Sequence, residues 1–392
     1  MEQQLFDRFH HYFPGNNDDI RVYFAPGRVN LIGEHTDYNG GYVLPSALSI
    51  GTYMLIRSRK DGAFRLRSEN FKEHPVDFSL NELVYIKEDD WGNYPKGIIH
   101  ELMAEGVPLT GADILYYGNI PNGAGLSSSA SIGMVTAYGL SKLAKFPMDK
   151  QQLAFLCQRM ENHFIGVNTG IMDQFAVGLA EKNHALFLNC DTLEKEKVAL
   201  NLGSYKLLIT NTNKRRGLAD SKYNERLEEC REALKILQGI NSKWTNLSQV
   251  PLSDFEANQD KLTPILRARA RHVITENARV LQAVRCLQAH DLSTFGKLME
   301  ASHVSLRDDY EVTGKELDAL FEAQRAVKGC IGTRMTGAGF GGCTVSIVHE
   351  KSVEAFKTTV QRIYKQQTGL EADFYICDTG DGVTERTEEV RL

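Results

Sequence analysis

The 392-residue chain has no C-x-x-C pair, and its seven cysteines (Cys157, Cys190, Cys230, Cys286, Cys330, Cys343 and Cys377) are scattered and odd in number. That argues against a disulfide framework and a structural zinc site, and leaves buried free thiols in a reducing compartment as the expectation. Basic excess is also missing: 45 Lys and Arg stand against 50 Asp and Glu, for a net charge of −5. Neither nucleic acid nor an anionic membrane is expected as a partner, and the short run Lys214-Arg215-Arg216 reads as a solvated loop. There is no long apolar run. The stretch from Tyr42 to Ile56 comes nearest, and Pro45, Ser46, Ser49, Gly51 and Thr52 break it. The start, Met1-Glu2-Gln3-Gln4, has neither the basic region nor the apolar core of a signal peptide, so a cytoplasmic protein is expected. Internal repeats, low-complexity tracts, H-E-x-x-H, G-x-x-x-x-G-K-[ST], H-R-D and D-F-G are all absent.

What remains is an ordinary globular composition, 42% hydrophobic and 24% charged, with length for two domains. Residues 2–13 read as an amphipathic helix (Leu5, Phe6, Phe9, Phe13) stopped by Pro14-Gly15. A strand at Arg21–Ala25 feeds a polar loop from Pro26 to Gly41. Gly51–Arg59 and Ala63–Arg67 read as strands around the turn Lys60-Asp61-Gly62, and Asp113–Tyr117 as another. Pro95–Glu105 and Gln151–His163 read as helices. Later strands are expected at His184–Asn189, Tyr205–Asn211, Cys343–His349 and Phe374–Asp378. Later helices are expected at Asp220–Gln238, Pro264–Ala289, Leu292–Arg307 and Val353–Gln367, with Thr263 and Asp291 placed as N-caps. The charged stretch Asp191–Asn201 marks the boundary, giving domains 1–190 and 191–392 with the glycine loops facing the cleft between them.

Three motifs carry chemistry. The first is Pro121-Asn122-Gly123-Ala124-Gly125-Leu126-Ser127-Ser128-Ser129-Ala130-Ser131, running into the helical pattern of Ile132, Met134, Val135, Ala137 and Leu140. A glycine turn opening a helix presents backbone N–H groups at the positive end of the dipole, a natural phosphate site, and the serines add hydroxyls. The second, Pro26 to Gly41, packs Arg28, Asn30, Glu34, His35, Asp37 and Asn39 behind a strand; Glu34, His35 and Asp37 are suited to meeting several sugar hydroxyls at once. The third, Thr336-Gly337-Ala338-Gly339-Phe340-Gly341-Gly342-Cys343, lets backbone approach a ligand closely. Each also has a plain structural reading, as a helix start, a capped turn and a tight turn in a sheet.

Together the three motifs resemble the galactokinases of the GHMP small-molecule kinase superfamily, Gly-Arg-Val-Asn-Leu-Ile-Gly-Glu-His-Thr-Asp-Tyr most specifically, and the resemblance covers nearly the whole chain. It implies an α+β fold: an N-terminal α/β domain with a left-handed crossover, a ferredoxin-like C-terminal domain, and the active site in the cleft between them. It implies transfer of the ATP γ-phosphoryl group to the C1 hydroxyl of α-D-galactose, with Mg²⁺ as cofactor; separately, a monomer is the expected working unit. By the same resemblance Asp173, in Gly170-Ile171-Met172-Asp173-Gln174-Phe175, is the proton acceptor and Arg28 its catalytic partner. Glu34, His35, Thr36, Asp37 and Tyr223 bind the sugar. Gly123, Ala124, Gly125, Leu126, Ser127, Ser128 and Ser129 cradle the ATP phosphates, and Ser68 touches the nucleotide. Ser129 and Glu161 hold the metal. Apart from the resemblance, Asp173 has a reading as a helix N-cap, Glu161 as a solvated helix residue and Tyr223 as core packing. His100, His272 and His303 carry no motif. Two rival functions stay open: a kinase for N-acetylgalactosamine or another small alcohol, and a non-catalytic sugar and ATP sensor.

Overall fold

The computed structural model describes residues 2–15, 19–121, 124–214 and 219–388. The first helix, α1 (Glu2–Tyr12), and Phe13 just beyond it pack Leu5, Phe6, Phe9 and Phe13 against the first strand, β1 (Arg21–Asn30). β1 is longer than its sequence suggests. Pro26-Gly27 reads locally as a turn, yet pairing with β3 (Pro45–Ser58) carries the strand on to Asn30 through a register shift between Pro26 and Arg28. Such bulges re-aim side chains beside active sites, and this one directly precedes Arg28. Between these strands lies the short β2 (Tyr42–Val43).

The strands β4 (Ala63–Ser68) and β5 (Val76–Ser79) follow, then the helix α2 (Asn93–Ala104) and β6 (Ala112–Gly118). β3 and β4 do not form the hairpin that the Lys60-Asp61-Gly62 turn suggests. β6 lies between them, antiparallel to β3 and parallel to β4. The helices α3 (Ser128–Leu143), α4 (Lys150–Arg159) and α5 (Met172–Leu179) cover this sheet, burying Met134, Leu140, Leu156 and Phe175 in one core with Met54, Ile56 and Ile114. Beyond α4, Met160–Ile165 winds as a π-helical turn, a departure often found at functional sites.

The strands β7 (His184–Asn189) and β8 (Lys195–Ala199) join β2 in a three-stranded sheet. The charged stretch taken as a domain boundary is therefore partly a strand. Its Lys and Glu suit a sheet edge. The expected division at residue 190 cuts this hairpin.

β9 (Tyr205–Asn211) opens the second half. It is followed by α6 (Ala219–Gln238), α7 (Leu252–Asn258), α8 (Pro264–Gln288), α9 (Leu292–Asp308) and α10 (Lys315–Arg325). Thr263 and Asp291 cap α8 and α9 by accepting from Leu266 N and Thr294 N. Then come β10 (Cys330–Thr336), β11 (Cys343–His349), α11 (Val353–Thr368) and β12 (Asp373–Cys377). The antiparallel order β10-β11-β9-β12 is that of a ferredoxin-like sheet. Leu320, Phe356, Val360 and Tyr364 of α10 and α11 cover one face, and Phe295, Met299 and Val280 of α8 and α9 the other. That second core continues into Val29, Leu31, Leu44 and Leu126 and so joins the halves. Finally β13 (Thr384–Glu385) returns to pair with β1, crossing the expected domain boundary again. No helix among the described residues is long and apolar enough to cross a membrane.

Candidate active site

The fold brings the three motifs into contact. Arg28 N donates to Leu126 O at 3.1 Å, tying the polar motif to the serine loop. Gly337 N donates to Glu34 Oε1, tying the third motif to the first strand's loop. Gly337 has φ +87°, and a Cβ there would stand 2.8 Å from Gly125 O, so only glycine lets the two glycine loops meet.

Arg28 and Asp173 lie at the centre. Asp173 Oδ1 accepts from Arg28 Nε at 2.8 Å and sits 2.7 Å from Nη2; Arg28 Nη1 donates to Gly125 O at 2.7 Å. Ser127 Oγ donates to Asp173 Oδ2 at 2.5 Å. Asp173 is not an N-cap: Ile171 holds that position, and Asp173 lies in the first turn of α5 with its carboxylate committed elsewhere.

A cavity of about 600 Å³ opens over this pair, lined also by Glu34, His35, Asp37, Tyr223, Ser128, Ser129 and Glu161. Glu34 is fully buried. Its Oε2 accepts from Asn30 Nδ2 at 2.6 Å and Arg334 Nη1 at 3.1 Å. Burial pushes its carboxyl up, while Arg334 and Arg28 pull it down. His35, at φ 61°, shares a hydrogen bond of 2.8 Å between Nδ1 and the Tyr38 hydroxyl, and burial lowers its pKa to about 3, so the ring stays neutral. Tyr223, on α6, packs its ring 5.0 Å from that of Tyr38. Asp37 rises to about 7, through burial first and the nearby Asp173 second. Gly170 makes room for it, since a Cβ there would fall 1.9 Å from Asp37 Oδ2.

Glu161 is buried in the π turn, not solvated as a helix-surface residue would be. Its Oε2 accepts from Gln174 Nε2 at 3.1 Å, and its Oε1 has no hydrogen-bond partner. Burial raises its pKa to about 7, with Asp173 adding to the shift and the Ser129 and Thr169 hydroxyls opposing it. Glu161, Asp37 and Asp173 thus share the cavity with one arginine, Arg28. An orphaned carboxylate oxygen beside a serine hydroxyl is a donor set that fits Mg²⁺, which takes few protein oxygens and completes its shell with phosphates and water.

Several expected residues do not reach the cavity. Thr36 turns inward, its hydroxyl lying 2.8 Å from both Gly33 O and Tyr42 O, either of which can accept its one proton. The side chains of Ala124 and Leu126 are buried in the core shared by the two halves. Ser127 lines neither this cavity nor the next. Gly123 lies outside the described residues. Ser68 lines a second cavity, of about 220 Å³, with Phe71, Trp91, Tyr116, Ile120 and Ile132; Tyr94, Ser128 and Ser129 line both. Arg334 went unnoticed in the sequence. A charge within a strand otherwise buried was the available signal. His272, without a motif, also supports the site: its Nε2 lies 3.0 Å from Glu34 O.

Comparison with known proteins fits this geometry. A galactokinase galactose-binding signature matches residues 7–58, the GHMP kinase N-terminal domain residues 93–181 and the GHMP kinase C-terminal domain residues 283–366. A galactokinase of Halalkalibacterium halodurans is 59% identical over 94% of this chain and 93% of its own length. The chain belongs to the galactokinases. The galactokinase of Bacillus subtilis is 48% identical over 98% of this chain and 99% of its own. The crystal structure of Lactococcus lactis galactokinase complexed with galactose superimposes with a TM-score of 0.93 at 44% identity, covering 97% of this chain and 98% of that one. Mevalonate kinase of Methanococcus jannaschii, at 20% identity and a TM-score of 0.64, shares the fold alone.

Proposed function

We propose that this galactokinase-family chain transfers the γ-phosphoryl group of ATP to the C1 hydroxyl of α-D-galactose. The observation that carries the reading is the Arg28–Asp173 pair, set between the polar motif and the serine helix in one cavity. Glu34, His35, Asp37 and Tyr223 bind the sugar hydroxyls. Glu34 and Asp37 accept where ionised, and the neutral His35 can donate or accept. Asp173 orients the C1 hydroxyl and takes its proton. Arg28 holds that carboxylate in place and offers positive charge to the transferring phosphoryl group. A loose transition state asks little of the proton acceptor, because the hydroxyl proton leaves late.

The start of α3 receives the phosphates, and the aromatic second cavity takes the nucleoside, with Ser68 at its edge. Ser129 and Glu161 are the side chains that would hold Mg²⁺, which when bound neutralises phosphate charge. A monomer is the proposed working unit. A supply of ATP supports a cytoplasmic setting, as do seven free thiols.

The test is incubation with galactose and MgATP alone, followed by NMR assignment of the phosphorylated carbon. Phosphate on C1 is expected. Preference for N-acetylgalactosamine would reassign the substrate, and tight galactose binding without turnover would replace the enzyme with a sensor.

A further inference from the structure

We infer that Ser127 is a positioning residue for Asp173 and not a contact for the ATP phosphates. The inference rests on the reading of Asp173 as proton acceptor. Ser127 occupies the N-cap of α3, where a serine oxygen ordinarily accepts from a backbone N–H of the first turn. Here its side chain makes no cap bond, and the residue adopts the left-handed conformation, φ 59° and ψ 49°. That region is unfavourable for a residue with a Cβ, and such conformations cluster where the surroundings hold a functional side chain in place.

The side chain has a different partner. Its hydroxyl donates to Asp173 Oδ2, while Arg28 holds Oδ1. The hydroxyl is the donor in this contact, so its proton points toward Asp173. The last torsion of an aspartate is soft and broad. With Arg28 alone, the carboxylate could swing about Oδ1. With Ser127 on the second oxygen, its plane is fixed, and so is the direction of the lone pairs left to receive the sugar proton.

The neighbouring serines behave otherwise. Ser128 and Ser129 line both cavities, whereas Ser127 is 6% exposed and lines neither. Three consecutive serines thus divide into two that face ligands and one that faces the base.

Steady-state kinetics of Ser127→Ala and Ser127→Gly test the assignment. Glycine accepts positive φ without strain, so it separates loss of the hydroxyl from loss of a strained backbone. Both variants should lose about tenfold or more in kcat, the scale of a hydrogen bond to a charged group, with KM for ATP within about twofold of the parent. Adding Ser127→Ala to Asp173→Asn should cost little further, because both act through one carboxylate. Parental kcat in both serine variants, a raised KM for ATP at unchanged kcat, or losses that multiply in the double variant would each overturn the inference. Near-parental turnover of Asp173→Asn would instead sink the proton-acceptor reading. A dead Asp173→Asn beside a normal Ser127→Gly would sink the Ser127 assignment alone.

Discussion

Two of the molecule's arginine–carboxylate pairs include residues that line the cavity, and their surroundings differ. Arg28–Asp173 faces the cavity, with side chains 6% and 28% exposed; Arg334–Glu34 lies beneath it, at 0% and 2%. In the first pair the aspartate keeps lone pairs open to the cavity. In the second the glutamate is shared among Arg334, Asn30 and the Gly337 amide, and Arg334 also donates to Asn30 O at 2.8 Å. The chemical group is the same; what it still has to offer differs. The buried pair ties down the loop that carries Glu34, whereas the half-buried pair leaves Asp173 facing the cavity, as the proposed proton acceptor must.

The sharpest way to break this contrast is to remove the buried cation. Arg334→Met leaves Glu34 as an uncompensated buried carboxylate, and stability should fall by about 3–5 kcal/mol in urea unfolding. Adding Glu34→Gln should restore much of that stability without restoring activity, because Glu34 also lines the cavity. An Arg334→Met protein as stable as its parent would erase the distinction between the pairs. At the cavity pair the signs reverse. Asp173→Asn should cut kcat by about 10²-fold or more while the unfolding midpoint moves little. Loss of stability with normal turnover would make Asp173 a second structural anchor.

The contrast also explains what the sequence could and could not disclose. Long helices with local signals were legible: α8 and α9 begin where Thr263 and Asp291 place them. Pairing between distant strands was not. Pro26-Gly27 looks like a turn, and only β3 alongside keeps β1 extended to Arg28. Lys60-Asp61-Gly62 looks like a hairpin, and only β6 shows otherwise. Lys195–Ala199 looks like a linker because an edge strand carries charge on purpose. At the site, the motifs and the family they resemble pointed to Arg28, Glu34, Asp37, Glu161 and Asp173, which the fold gathers in one cavity. They did not reveal Arg334, whose partner is 300 residues away, nor did they separate Ser127 from Ser128. They also counted Thr36 among sugar ligands although its hydroxyl closes its own turn.

Carboxylates of this site that lack a dedicated arginine should show themselves in the pH dependence of stability. Asp37 and Glu161 stay protonated in the folded protein up to about 7, against ordinary values of 3.8 and 4.5. Between those limits the folded state holds more protons than the unfolded one. Their contribution to stability is therefore greatest below the ordinary carboxylate range and declines as pH rises toward 7. Thermal unfolding of the ligand-free protein from about pH 5 to about pH 8 should show this fall. Asp37→Asn should flatten it by on the order of 1 kcal/mol, a discounted figure for a half-buried group beside an open cavity. An unchanged slope would mean that neither carboxylate is held neutral by its burial.

The smallest expected effect concerns the far wall of the cavity. Tyr223 comes from α6, in the second half of the chain, and meets Tyr38 and His35 ring to ring. Its ring packs on its neighbours and its hydroxyl is the proposed sugar contact, so Tyr223→Phe keeps the first and removes the second. One neutral hydrogen bond is worth about 1 kcal/mol, which sets the expectation at a roughly fivefold rise in KM for galactose with kcat and KM for ATP nearly constant. The effect is expected in ground-state binding because the proposed partner of the hydroxyl is the sugar and not the Arg28–Asp173 pair. A fall in kcat would place Tyr223 with that pair after all. No change in any constant would leave it as core packing, the reading that its position on the apolar stripe of α6 suggests by itself.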